Sequence, residues 1–418
     1  MGKLKKIWLL LLSIGPGLFC IGYTIGTGSV TSMLKAGSLY GMQLLWVLVL
    51  SAFFSGVLMD TFGKMSLVTG KAAIYTFRTE LRNGRLYAIL VVLGVVVGQW
   101  SALSGIIGLS SNALYEMLRL FIPSLNETNY WAVLFIAFLL LSMLYFFLLI
   151  GKYSAFEKVL VVMVTLMGVC FLVSMFIVFP SPEEIFLGLK PSIPAGGELM
   201  VAAFVGTTMA APTFVVRPLI VQEKGWTLAE NRLQRNDAIM SALLMFVISA
   251  SIMIVSTGVL FHDGKPIMKV MDMVHSMEPL AGKFAVAVFM IGVLSAGVSS
   301  AFPIMMVLPL LLGDYSNGKM DVTSPKFKML TAIAAVVGLT VPVLGANPII
   351  AQIATQVANV FVLPLVILCT LIVINKISVM KEHKASLWLN AILGLAFLFS
   401  LAISYNGIIG LMNYFTEG

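Results

Sequence analysis

Two short stretches carry the residue types that could hold a small ion. The first is Gly26-Thr27-Gly28-Ser29, just after Gly22. The second is Gly206-Thr207-Thr208-Met209-Ala210-Ala211-Pro212-Thr213. Each lies in the middle of a long apolar run. Glycine weakens a helix, and proline removes an amide donor and clashes with the preceding turn, so each stretch is expected to break a helix. A helix half that starts at a break presents unpaired amides and the positive end of a dipole. Such ends are expected near Gly28-Ser29 and near Pro212-Thr213, with Pro212 at a first helical position and Thr or Ser as N-cap. The hydroxyls of Thr24, Thr27, Ser29, Thr207, Thr208 and Thr213 stand nearby. A divalent cation leaving water needs anionic or soft ligands; the two stretches hold no carboxylate, and their one thioether is Met209. Helix N-termini suit a small anion instead.

Apart from Glu198 at its first position, Arg217 is the only charge in the run that holds the second stretch. It follows Pro212 by about one and a half turns. A guanidinium there could grip a planar oxyanion or line an exit route. It could equally snorkel or pair with carbonyls at a helix end. Ser299 and Ser300, in a later apolar run, offer hydroxyls for a coupling ion such as sodium; serines that let helices pack closely are the plainer reading.

These residues need elements to position them, and composition says which. The chain has 418 residues, 60% of them hydrophobic and only 11% charged. A soluble surface carries about 25% charge, so this chain belongs in a bilayer. A span needs about 20 apolar residues. Eleven such runs are legible, at approximately 7–35, 42–66, 86–112, 130–150, 156–179, 198–221, 238–261, 284–312, 328–344, 350–375 and 386–415. The connections are short, so the whole of 1–418 reads as a single all-α transmembrane domain. The two broken runs are the first and the sixth, the opening helices of two successive five-helix units. Breaks at matching positions of two halves point to a transporter's substrate site.

The net charge of +8 is a topology signal and not a nucleic-acid footprint. With the N-terminus in the cytoplasm, inner segments hold nineteen of the 26 Lys and Arg residues, beginning with Lys3, Lys5 and Lys6. The positive-inside rule then puts the C-terminus outside after eleven crossings, in the plasma membrane. The Met1–Lys6 segment and the apolar run after it lack a small-residue cleavage pattern, so a retained first helix is expected. Cys20, Cys170 and Cys369 lie in apolar runs and read as buried free thiols. His262, His275 and His383 sit in or beside loops and form no ligand cluster. Asn126-Glu127-Thr128 matches a glycosylation acceptor, for which chance is the default. No nucleophile–base set or phosphate loop marks an enzyme, and no cofactor is implied.

The chain also resembles a known family. Gly15-Pro16-Gly17, Ala36-Gly37, Tyr40-Gly41, Leu44-Leu45-Trp46 and Val68-Thr69-Gly70-Lys71 are similar to the opening helices of Nramp divalent-metal transporters. So are Gly151-Lys152, Gly188-Leu189-Lys190-Pro191, Gly206-Thr207-Thr208, Val221-Gln222, Ser295 to Ser300, and Gln356 to Pro364. The resemblance implies a LeuT-type fold. Helices 1–5 (about 7–179) and 6–10 (about 198–375) form an inverted repeat, and an eleventh helix (about 386–415) is appended. It also adds Gln356 to the expected substrate site, which then comprises Gly26, Thr27, Gly28, Ser29, Thr207, Thr208, Ala210, Pro212, Thr213, Arg217 and Gln356.

The departures from the family pattern bear on the substrate. Metal-transporting members carry Asp-Pro-Gly-Asn at the first break, where this chain has Gly26-Thr27-Gly28-Ser29. In the sixth helix Ala210, Ala211 and Pro212 stand where the family has Met-Pro-His, and Arg217 falls on a second His linked there to proton movement. From Leu86 to Tyr115, where members place acidic residues for protons, there is no Asp or Glu. No resident metal site is expected. The chain thus resembles divergent members that look like bicarbonate transporters. The expectation is alternating-access transport of a small planar anion such as bicarbonate, with sodium as a candidate coupling ion at Ser299 and Ser300. The alternatives are a divalent metal (manganese, iron or magnesium) held by other ligands, or a non-transporting sensor. The expected partners are the small ion and the bilayer; oligomeric state is left open.

Overall fold

Apolar side chains in lipid leave backbone polar groups with no water to bond, so each crossing segment must satisfy its own amides as a helix. The computed structural model describes residues 15–417 apart from 123, 126–128, 150–152, 179–180, 262–263, 265–266, 268–269 and 320–321, and the described residues contain helices and no strands. The basic Met1–Lys6 segment, Asn126-Glu127-Thr128, Gly151-Lys152, His262, Lys265 and Lys269 lie outside the described residues.

In chain order the helices are α1 (Gly15–Thr24), α2 (Thr27–Tyr40), α3 (Leu45–Thr69), α4 (Ala73–Glu80), α5 (Gly84–Phe121), α6 (Tyr130–Leu149) and α7 (Tyr153–Ile177). The second half opens with α8 (Pro182–Gly188), α9 (Glu198–Thr208), α10 (Ala211–Glu223), α11 (Asn231–Ser256), α12 (Val270–Asn317), α13 (Pro325–Gly338) and α14 (Thr340–Leu344). It closes with α15 (Pro348–Val360), α16 (Leu363–Asn375), α17 (Ile377–Met380) and α18 (Leu387–Glu417). Ten helical segments among the described residues are long and apolar enough to cross a membrane; α9 and α10 together make one of them.

Both expected breaks are present. α1 closes with the Ile25 amide on the Ile21 carbonyl at 2.7 Å, and the Thr24 hydroxyl folds back onto the Cys20 and Ile21 carbonyls. Gly26 is extended (φ −112°, ψ −167°), and α2 begins at Thr27. In the sixth span, Ala210 is extended (φ −63°, ψ 120°) between α9 and α10, with Pro212 in the first turn of α10. The caps differ from expectation. They are Gly26 and Ala210, neither of which supplies a side-chain cap. A third interruption, at Phe361–Val362, divides α15 from α16 just before Pro364.

Burial sorts the spans into layers. The α9–α10 window is 94% buried, against 22% for α6 and for α18, so the broken span is central and those two face lipid. α12 packs along α5 and α7, α11 along α3 and α2, and α9 against α15 and α18. Phe53, Trp131, Phe176 and Trp388 point outward, as apolar side chains on a bilayer-facing surface do.

Candidate functional site

A narrow cavity opens where the two breaks meet, with room for about one water-sized particle. Six expected residues line it: Gly26, Gly28, Ser29, Thr207, Ser300 and Gln356. Because Gly26 caps α2 without a side chain, the first amides of α2 have neither an intrahelical acceptor nor a cap. The Thr207 hydroxyl donates to the Thr24 carbonyl at 2.7 Å and ties the two breaks together. Ser29 and Ser249 hydroxyls lie 3.4 Å apart.

Two glycines let the walls close in. A Cβ at Gly28 would lie 2.1 Å from Gln356 Nε2, and one at Gly26 would lie 2.3 Å from Ser300 Oγ. The space an acidic side chain at position 26 would need is therefore occupied by Ser300. No group of three or more His, Cys, Asp or Glu side chains able to hold a metal occurs among the described residues. The lining contains no carboxylate and no thioether.

The remaining expected residues lie elsewhere. Thr27 is buried and accepts a 3.0 Å hydrogen bond from Gln352 Nε2. The Thr208 carbonyl accepts from Ser55, while the Thr208 and Thr213 hydroxyls are buried without a partner. Ala210 and Pro212 shape the start of α10 and do not line the cavity. Ser299 donates to the Ala296 carbonyl of its own helix at 3.1 Å, and Ser300 to the Gly22 carbonyl at 2.5 Å. Both hydroxyls expected to hold a sodium ion thus donate to backbone carbonyls.

Arg217 lies away from the cavity and, as one of the two sequence readings had it, pairs near a helix end. It does not snorkel, being 0% exposed. One terminal nitrogen donates to Asp237 Oδ2 at 2.8 Å, to Gln234 Oε1 at 2.8 Å and to the Gln234 carbonyl at 3.1 Å. Asp237 Oδ1 also accepts from the Gly17 amide at 3.1 Å, and Gln234 Nε2 donates to Asp60 at 2.9 Å. The network joins α1, α3, α10 and α11 on one side of the breaks. Asp237 escaped sequence analysis because the seventh apolar run begins one residue later, whereas α11 starts at Asn231.

Gln99, in the run without Asp or Glu, and Tyr23 stood outside the expected site. Both line the cavity, with Ala102, Ile106 and Ile304. Gln99 Nε2 donates to Asn359 Oδ1 at 3.2 Å, and Asn359 Nδ2 to Gln356 Oε1 at 3.4 Å. A buried carboxamide in a membrane helix was the available signal.

A helical bundle whose first and sixth helices break around a buried polar cavity is a membrane transporter of LeuT type. The chain belongs to the Nramp family: the family model described as natural resistance-associated macrophage protein-like matches residues 17–410. A divalent metal cation transporter, MntH 1 of Pseudomonas aeruginosa, is 26% identical over 309 residues, 70% of this chain and 67% of that protein. MntH of Burkholderia ambifaria, also named a divalent metal cation transporter, is 24% identical over 94% of this chain and 88% of its own length. Among solved structures, a mutant of the Eremococcus coleocola manganese transporter superposes with a TM-score of 0.77 at 15% identity, covering 98% of this chain and 88% of that one. MhsT in complex with L-phenylalanine superposes with a TM-score of 0.64 at 15% identity over 96% of this chain and 98% of its own. These two likenesses concern the fold.

Proposed function

We propose that this chain is a secondary transporter that carries a small, singly charged planar anion such as bicarbonate by alternating access. The observation that supports this reading is the cavity wall. Hydroxyl and carboxamide residues line it beside the uncapped first turn of α2, and no carboxylate or thioether does. Hydrogen-bond donors at the positive end of a helix stabilise negative charge and replace an anion's water. A divalent cation would lose its hydration shell here with nothing anionic in exchange.

A second reading is favoured by the relatives, which are named divalent metal cation transporters. On it, manganese, iron or magnesium crosses through backbone carbonyls and carboxamide oxygens, with part of its water retained. For either substrate the proposed setting is the plasma membrane with the N-terminus in the cytoplasm, supported by the bias of Lys and Arg among the loops.

Purified protein in liposomes separates the readings. Labelled bicarbonate uptake should be saturable and blocked by excess unlabelled bicarbonate, while manganese and magnesium uptake stay at the level of empty liposomes. Saturable manganese or magnesium uptake without bicarbonate flux replaces the first reading with the second.

A further inference from the structure

Three buried carboxamides form a chain across the cavity wall. Gln99 comes from α5, and Asn359 and Gln356 from α15. Gln99 Nε2 donates to Asn359 Oδ1, and Asn359 Nδ2 donates to Gln356 Oε1. Linked head to tail, three amides use two donor and two acceptor groups on each other. One carbonyl oxygen and one amide NH2 are left at the ends, and both end residues line the cavity. Gln99 is 2% exposed, and its Oε1 is buried with no hydrogen-bond partner. Gln356 Nε2 lies against Gly28, at the amide end of α2. Turning all three amides together would exchange the two ends and still leave one donor and one acceptor.

We infer that this relay selects a planar anion that carries its own proton, a hydrogen-oxyanion, over one that does not. The inference rests on the anion reading above. An anion such as nitrate has only acceptor oxygens. It would satisfy the NH2 end and the α2 amides but leave the acceptor end facing a lone pair. A hydroxyl on the anion supplies the missing donor. A site built to pair with a substrate hydroxyl rejects an analogue without it, because a buried polar group is then left unpaired. Asn359 touches neither end of the ion in this scheme. It is a positioning residue that fixes which way both glutamines point.

The test uses the full chain in liposomes, labelled bicarbonate as the probe, and nitrate as a competitor. Wild-type protein should bind nitrate at least about tenfold more weakly than bicarbonate, the factor that one unpaired buried group produces. Gln99→Met and Gln356→Met each remove one end of the relay. One of them, by removing the acceptor end, should weaken bicarbonate about tenfold and relieve the penalty on nitrate, so that nitrate binds more tightly than to the wild type; the other should weaken both anions alike. Nitrate competing as well as bicarbonate in the wild type, or the two variants acting identically, overturns the inference while leaving anion transport standing. Metal uptake without bicarbonate uptake removes the anion reading and this inference with it. Where Gln99→Met gives no folded protein, Gln99→Asn, which withdraws the same amide by one methylene, is read in its place.

Discussion

The Arg217–Asp237 pair is buried and held from several sides. Both side chains are essentially inaccessible, and Asp237 also holds the Gly17 amide. Removing one partner of a buried pair strands the other charge at a cost of about 3–5 kcal/mol, whereas replacing both by apolar groups is often neutral. Asp237→Ala should therefore unfold at markedly lower temperature in detergent, and Arg217→Met with Asp237→Leu should recover most of the loss. Equal damage from the single and double changes would mean that the pair's charge balance is not what holds it. Position 26 supports a second prediction. Introducing Gly26→Asp, Ser29→Asn and Ala210→Met restores the family's metal ligands by sequence alignment. Yet a Cβ at Gly26 meets Ser300 Oγ at 2.3 Å and Ser300 Cβ at 2.7 Å, and Ala210 does not face the cavity. Calorimetry should show no manganese binding by the triple variant; adding Ser300→Gly should relieve the clash and improve it. Tight binding by the triple variant alone would show that the wall yields more readily than its packing indicates. Residue types at the breaks were legible because glycine and proline act locally. The partner of Arg217 and the Gln99–Asn359 bond were not, because each joins residues brought together only by tertiary packing.

At the level of elements, the breaks make α1 and α10 separate short levers, and the polar network clasps them to α11. α1 approaches α11 closely at Gly17, where a Cβ would lie 1.8 Å from Ser241 Oγ and 2.8 Å from Asp237 Oδ1. A larger residue must push α1 away and pull its amide off Asp237. Cys20, three residues on, is buried at 1% exposure and reports that movement. With Cys170→Ser and Cys369→Ser as background, Gly17→Leu should raise the rate of maleimide labelling of Cys20 by at least about tenfold, as loss of one charge-assisted contact implies. An unchanged rate in folded protein would show that α1 does not depend on this seat. Most helix boundaries were legible to within a few residues from apolar runs, but α5 runs on to Phe121, and α11 and α12 start earlier, at Asn231 and Val270, where charged residues interrupt the apolar pattern. The caps were not legible. A hydroxyl was expected at each N-cap, and Gly26 and Ala210 stand there instead. At Gly26 the extended break borders the cavity, whereas at Ala210 the start of α10 lies away from it, with the Thr213 amide on the Ala210 carbonyl at 3.0 Å. The break at Phe361–Val362 was missed because its one local signal, Pro364, lies inside a continuous apolar run.

For the whole molecule, the question is what accompanies the ion. The cavity lining holds no charged side chain, so an anion crossing alone carries its charge through the membrane field. Moving one elementary charge across 100 mV is worth about 2.3 kcal/mol, which corresponds to roughly fiftyfold in accumulation. A sodium ion travelling with a singly charged anion would cancel that dependence. The place expected for sodium is taken, in this conformation, by the Ser300 hydroxyl on the Gly22 carbonyl at 2.5 Å. A cation could enter only by separating the pair, which also packs α1 against α12. Bicarbonate uptake into liposomes is therefore expected to rise when the interior is made positive by a potassium diffusion potential, and to persist when choline replaces sodium. Ser300→Ala should then leave ion dependence unchanged. Uptake that ignores the potential and stops in choline would establish sodium coupling, and would require the Ser300–Gly22 contact to open during each transport cycle.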